Sequence, residues 1–156
     1  MKTIILFLIL IFSLTARSQS FNEDKTAFSN FIKRMYTSSP FEGVKIVDDY
    51  DNKYIISVLS LEKADKSTSI LTRIAQTKAQ RQVSTFFNGA VITSEFIIKT
   101  TETKADSSEV QTTVETIEKI KENSVGFVNG LELLTNFDIE EGNRMLFIYL
   151  KKIDED

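Results

Sequence analysis

The chain has 156 residues, 26% of them charged and 42% hydrophobic, and a formal net charge of −3. It contains no histidine and no cysteine, which excludes disulfides, cysteine nucleophiles, histidine-ligated zinc and every catalytic triad that uses histidine. Binding to nucleic acid depends on clustered Lys and Arg, and here the basic residues are dispersed and outnumbered by acidic ones, so we expect no nucleic-acid partner.

The N-terminus has the three-part pattern of a secretory signal peptide. Lys2 provides a positive start, an apolar run occupies residues 4–12, and Ala16 and Ser18 supply the small residues required for cleavage before Gln19. The apolar run is about half as long as the ~20 residues of a membrane-spanning helix. We therefore predict an exported precursor.

The predicted domains are a signal peptide at 1–18 and a single mature domain at 19–156. Cleavage removes two basic and no acidic residues, which leaves 17 basic and 22 acidic residues and a side-chain charge of −5. No cysteine is present to carry a lipid at the cleavage site, so the prediction is a periplasmic or secreted protein that is neither a lipoprotein nor stably inserted in a membrane.

Apolar periodicity divides the first part of the mature chain into a helix and two strands. The stripe at 21–35 predicts a helix that ends before Pro40. Two β-rich runs, 44–48 and 53–61, flank a turn rich in Asp and Asn and predict a hairpin. Because the second run is apolar on both faces, we expect it to lie centrally in a covered sheet.

The clearest helix follows cap residues at 67–69 and ends at Gly89, for which we predict a left-handed cap. Ala75 and Ala79, one turn apart, would let this helix approach a sheet closely. Its apolar positions are Ile70, Leu71, Ile74, Ala75, Ala79, Val83, Phe86 and Phe87.

The remaining patterns predict a strand at 90–101, a helix over 110–120, and strands at 124–134 and 144–153, with a turn at 141–143 before the last. The order α-β-β-α-β-α-β-β mixes helices and strands without strict alternation. We therefore predict an α+β fold with helices packed on one face of a largely antiparallel sheet.

Three patterns are candidates for chemical sites, and none is assigned. Ser60 and Lys63 have Ser-x-x-Lys spacing, but at a strand end and without companion motifs. The acidic turn after the first strand lacks the EF-hand spacing of a calcium loop, and Asp and Asn are common in turns. Glu95 lies in an apolar run, where an outward-facing side chain is expected. The residues of the acidic turn considered for calcium are Asp48, Asp49, Asp51 and Asn52.

The glycines of Gly126-x-x-x-Gly130 are interpreted as bends or bulges in a strand. The densest basic pair, Lys78 and Arg81, is interpreted as a solvated helix face. No catalytic, cofactor-binding or metal-binding residue is therefore predicted.

Several segments over residues 53–153 follow one another in a familiar order: Ile56–Val58, the helix with Ala75, Ala79 and Val83, Val91–Ser94, Ser124–Gly126, Gly130–Leu133 and Met145–Leu150. This order resembles the domain shared by small bacterial envelope lipoproteins and the N-terminal part of flagellar assembly protein T. The resemblance implies an α+β fold, an envelope location and no catalytic residues.

Two functions follow as hypotheses. The first is a non-enzymatic binding module of the envelope or the secreted fraction, whose partner is another envelope protein. The alternative is a carboxylate-dependent hydrolase acting on envelope glycans, which requires two acids facing each other across a cleft.

Overall fold

The computed structural model describes residues 23–49, 52–89, 96–99, 107–121 and 124–153. The predicted signal peptide at 1–18 lies outside these residues, and the boundary of the mature domain stays a prediction. The elements in chain order are α1 (Glu23–Ser38), β1 (Gly43–Asp49), β2 (Asn52–Glu62), α2 (Thr68–Gly89), β3 (Ile97–Lys99), α3 (Ser107–Lys121), α4 (Ser124–Asn129), β4 (Glu132–Ile139) and β5 (Arg144–Ile153).

One five-stranded sheet organises the molecule, with strand order β3-β1-β2-β5-β4. Three of its pairings, β1 with β2, β2 with β5 and β4 with β5, are antiparallel, and only β1 with β3 is parallel. The predicted α+β class and the largely antiparallel sheet are confirmed, and the order of elements is roughly as expected.

The hairpin predicted from the first two β-rich runs is confirmed, because Asp48 pairs with Lys53 and Asp49 with Asn52 at its closed end. β2 is central, as the apolar character of both its faces indicates. Ile55 and Leu59 enter the core on one side of the sheet, and Ile56 and Val58 enter the core on the other.

Helices cover both faces of the sheet, so the prediction that they occupy one face is wrong. Phe28 and Ile32 of α1 pack with Val47, Ile148 and neighbouring residues on one side. On the other side α2, α3 and α4 cover a second cluster. The physical reason is that the central strands β2 and β5 carry large apolar side chains on both faces, and each face must be removed from water.

The last third departs from the prediction at 124–134, where the structure has the short helix α4 before β4 begins at Glu132. Gly126 therefore lies within a helix and Gly130 in the turn after it, and neither bends a strand. A Cβ on Gly130 would lie 2.5 Å from Lys151 Nζ. The missing side chain leaves room for that ammonium to donate to the Phe127 carbonyl at 3.1 Å.

Two helix ends test the predicted caps. The Ser67 hydroxyl accepts the backbone N–H of Ile70 at 3.4 Å, in the N-cap role predicted for it. Gly89 is the last residue of α2, but its φ is not positive, so the predicted left-handed cap is wrong there. Between β4 and β5 a 3₁₀ turn, Glu140–Gly142, replaces the expected simple turn, and Gly142 adopts φ 90°.

Candidate functional site

An open cleft of about 560 Å³ lies between α2 and the start of β1. Its volume is within the range of small-molecule binding sites. Gly43 forms part of its wall with a φ of 114°, a conformation that favours glycine, and a Cβ there would meet nothing within 4 Å. The wall therefore has no side chain at this point, and the cleft stays open.

The apolar part of the cleft is aromatic. Phe86 and Phe96 lie with ring centroids 5.7 Å apart in a tilted arrangement, and Val44 adds an aliphatic surface beside them. The Lys45 ammonium lies 5.3 Å from the centroid of Phe96, within the range of a cation–π interaction. This contact holds a positive charge against one of the two rings.

A buried hydrogen bond anchors the middle of the cleft to the sheet. Ser57 of β2 is fully buried, and its hydroxyl donates to Gln82 Oε1 at 2.6 Å. This bond engages the amide oxygen of Gln82, so what the same amide can offer within the cleft that Gln82 lines is its N–H donors.

The polar part of the cleft is basic. Lys78 and Arg81 line it, and both are exposed. α2 contains no acidic residue along its 22 positions, although the whole chain is acidic. Within the described ranges, neither Lys78 nor Arg81 forms an ion pair with a carboxylate. Their charges are therefore available to an anionic ligand.

A second cavity of about 360 Å³ adjoins the cleft at Lys78, which lines both. Leu71 and Ile74 give it an apolar wall from α2, and Lys66 adds a further cation. Glu62 is the one carboxylate that lines either cavity among the residues described.

Arg144, at the edge of the second cavity, organises a polar cluster at the end of the sheet. Its guanidinium donates to the Ser60 hydroxyl, which donates in turn to Glu42. Its Nη2 lies 3.9 Å from Glu42 Oε1, and its Nε lies 3.6 Å from Glu140 Oε1. Burial raises the pKa of nearby Tyr36, Glu42 raises it further, and Arg144 opposes both effects. The cluster joins β2 and β5 to the residue before β1 and to the 3₁₀ turn, and we assign it a structural role.

The Ser-x-x-Lys pair does not form a reactive unit. While Ser60 bonds to Glu42 and Arg144, the Lys63 ammonium lies 2.7 Å from Asp138 Oδ2. The two side chains therefore have different partners, because the spacing that aligns them in a helix falls at the end of a strand.

The acidic turn contributes Asp48 and Asp49 to the β1–β2 ladder, while Asp51 and Glu95 lie outside the described residues. In the part of the chain that is described, no three acidic, histidine or cysteine side chains come together as a metal site. Nor is any helix of that part both long and apolar enough to cross a membrane.

The sequence interpretation treated Lys78 and Arg81 as a solvated helix face and did not place them at a cleft. They are exposed, yet they line a cleft whose other wall comes from β1, more than 30 positions earlier in the chain. The available sequence signal was a 22-residue helix with cations and no acids.

Comparisons with protein-family models, with curated proteins and with solved structures found no match to the chain. The geometry of the cleft therefore carries the functional proposal.

Proposed function

We propose that the protein is an exported, non-enzymatic binding module that recognises an envelope protein through the cleft beside α2. The observation that carries the proposal is the pairing of Lys78 and Arg81, without carboxylate partners among the described residues, with the aromatic wall of Phe86 and Phe96. Cations next to desolvated aromatic surface are typical of recognition sites.

Export is supported by the sequence pattern of residues 1–18, and periplasmic or secreted localisation is proposed on that basis. The missing histidine and cysteine side chains support a function without catalysis. The resemblance to envelope domains without catalytic residues agrees with export and with a function that is not catalytic.

The alternative, a hydrolase of envelope glycans, requires two carboxyl groups across a cleft. Glu62 alone lines the two cavities among the described residues. Glu42 and Glu140 lie on the same arginine, and each carboxylate forms an ion pair with the guanidinium of Arg144. No observation therefore favours this second function.

The first test is intact-mass analysis of the native protein from each cell fraction, followed by crosslinking to its partner. We expect a polypeptide that begins at Gln19 and occurs in the periplasm or the medium. The double variant Lys78→Glu/Arg81→Glu should reduce capture of the crosslinked partner by about tenfold, because it replaces two attractive charges with repulsive ones.

The control is Arg34→Glu/Arg73→Glu, which changes net charge equally at exposed positions outside both cavities. It should retain wild-type capture. A protein found in the cytosol with residues 1–18 attached would overturn export. Equal capture by the two double variants would overturn the assignment of the cleft.

A further inference from the structure

The cleft and the second cavity lie along a single flank of α2. Their helical lining includes positions 71, 74, 78, 82, 85 and 89, and steps of three or four residues keep side chains on one side of a helix. Because a helix rises 1.5 Å per residue, this flank is about 27 Å long. The two cavities meet at Lys78, and we call their combined lining along this flank the α2 groove.

Cations and apolar surfaces occur in turn along the α2 groove. Lys66 lies at the end near Leu71 and Ile74, where Glu62 and Arg144 add one negative and one positive charge to the lining. Lys78 lies at the junction, and Arg81 lies near the aromatic end. A ligand that fits this lining must present negative charges and apolar groups along an elongated shape, because neither kind of contact is confined to one end.

We propose that the α2 groove binds an extended, acidic segment of the partner protein in which acidic and apolar side chains are interspersed. This inference rests on the proposed binding function and names its ligand class. An extended chain advances about 3.3 Å per residue, so roughly eight residues span the groove. Acidic side chains pair with Lys66, Lys78 and Arg81, and apolar ones cover the surfaces between them.

A peptide fits the lining better than a uniform polyanion does. Polyphosphate and sulfated glycans would satisfy the cations but carry few apolar groups to cover Ile74, Phe86 and Phe96. A peptide backbone also presents carbonyl groups to the amide of Gln82, whose own oxygen is held by Ser57. The overall negative charge of the chain further disfavours long polyanions that extend beyond the groove.

The test uses the mature protein and a fluorescein-labelled peptide of about eight residues. Its glutamates are interspersed with leucine and phenylalanine so that each face of the extended chain carries both kinds of side chain. Binding is followed by fluorescence anisotropy. We expect saturable binding that weakens as NaCl rises from about 50 to about 300 mM, since exposed charge pairs are screened by salt. A peptide with glutamine in place of glutamate should bind at least about tenfold more weakly.

Two variants locate the binding site. Lys78→Glu/Arg81→Glu should raise the Kd about tenfold or more, whereas Arg34→Glu/Arg73→Glu should not. A Cβ added at Gly89 meets nothing within 4 Å, so Gly89→Phe adds volume at the groove from a position that tolerates a Cβ. It should weaken binding while the far-UV circular dichroism spectrum stays unchanged.

Three results would overturn the inference: equal binding of the neutral peptide, polyphosphate or a sulfated glycan binding as tightly as the acidic peptide, or a Kd unaffected by the charge reversal. If the protein still captures an envelope partner through Lys78 and Arg81 while the peptide does not bind, the ligand class is wrong and the binding function stands. If both capture and peptide binding fail, both proposals fall.

Discussion

Single side chains determine how the helices are joined to the sheet, and Tyr149 of β5 is the clearest example. Its ring is 1% exposed, and its hydroxyl donates to the carbonyl oxygen of Thr72 in α2 at 2.9 Å. Burial raises the pKa of Tyr149 to about 12, because the phenolate would lose its hydration. The hydrogen bond therefore requires the neutral phenol, and it joins two elements distant in sequence.

Tyr149 should make stability fall in strongly alkaline solution. Its pKa is higher in the folded state than the ordinary value of about 10, so folded chains hold a proton that unfolded chains release between about pH 10 and about pH 12. The stabilisation is complete below pH 10, and about 2–3 kcal/mol of it is lost as pH rises through that window.

Urea unfolding of wild type and Tyr149→Phe, at neutral pH and across this window, gives the difference in their free energies of unfolding. Titrating groups that the two proteins share cancel in this difference. At neutral pH the variant should be about 1 kcal/mol less stable, through the lost hydrogen bond. Equal pH slopes for the two proteins would show that Tyr149 is not the group responsible.

At the scale of elements, α2 depends on small residues where it meets the sheet. Ala75 and Ala79 are fully buried within the core that α2 forms with the sheet, in agreement with the close approach predicted from their spacing. The opposite side of the same helix is exposed at Arg73, Gln76 and Thr77. α2 is thus amphipathic, and its packing distance is set by two methyl groups.

Ala79→Leu should destabilise the protein by about 1–3 kcal/mol, because the added volume has no space in a fully buried position and must push the helix from the sheet. Gln76→Leu places the same side chain on the exposed face of α2 and should change stability by less than about 0.5 kcal/mol. Chemical denaturation followed by far-UV circular dichroism compares the free energies of unfolding of the two variants. Equal effects would mean that Ala79 is not tightly packed.

At the scale of the whole molecule, β2 and β5 connect two cores. Both strands bury side chains towards α1 on one face and towards α2 on the other. Removing α1 would expose one whole face of the sheet, and removing α2 would expose the other. Because the same strands form the floor of both cores, we expect the two cores to unfold together in a single transition.

Ile32→Ala in α1 and Leu71→Ala in α2 should each cost about 2–5 kcal/mol, since each leaves a cavity at a buried site. Both variants should retain one urea transition with the wild-type m-value. Val125→Ala, at a side chain that is 74% exposed, provides the control and should be near neutral. A separate early transition in Ile32→Ala alone would show that α1 unfolds independently of the sheet.

The amino-acid sequence by itself determined the features that depend on neighbouring residues. The β1–β2 hairpin follows from an Asp- and Asn-rich turn between β-branched runs, and α2 follows from apolar residues at helical spacing. The α+β class follows from the order of such patterns, and the lack of histidine and cysteine limits the available chemistry. Export and envelope binding stay predictions of the same sequence patterns.

The tertiary structure decided whatever depends on residues far apart in the chain. Local periodicity indicates that a strand has two apolar faces but not which helix covers each, so the placement of α1 opposite α2 emerged only from packing. The short run at 124–129 is compatible with helix or strand, and contact of Phe127 with Phe87, at a centroid distance of 5.4 Å, accompanies the helix. Arg144 meets Ser60 across 84 positions, and Lys78 and Arg81 line a cleft only because β1 supplies its other wall. A cleft assembled from separate elements is a property of their packing, which no local pattern encodes.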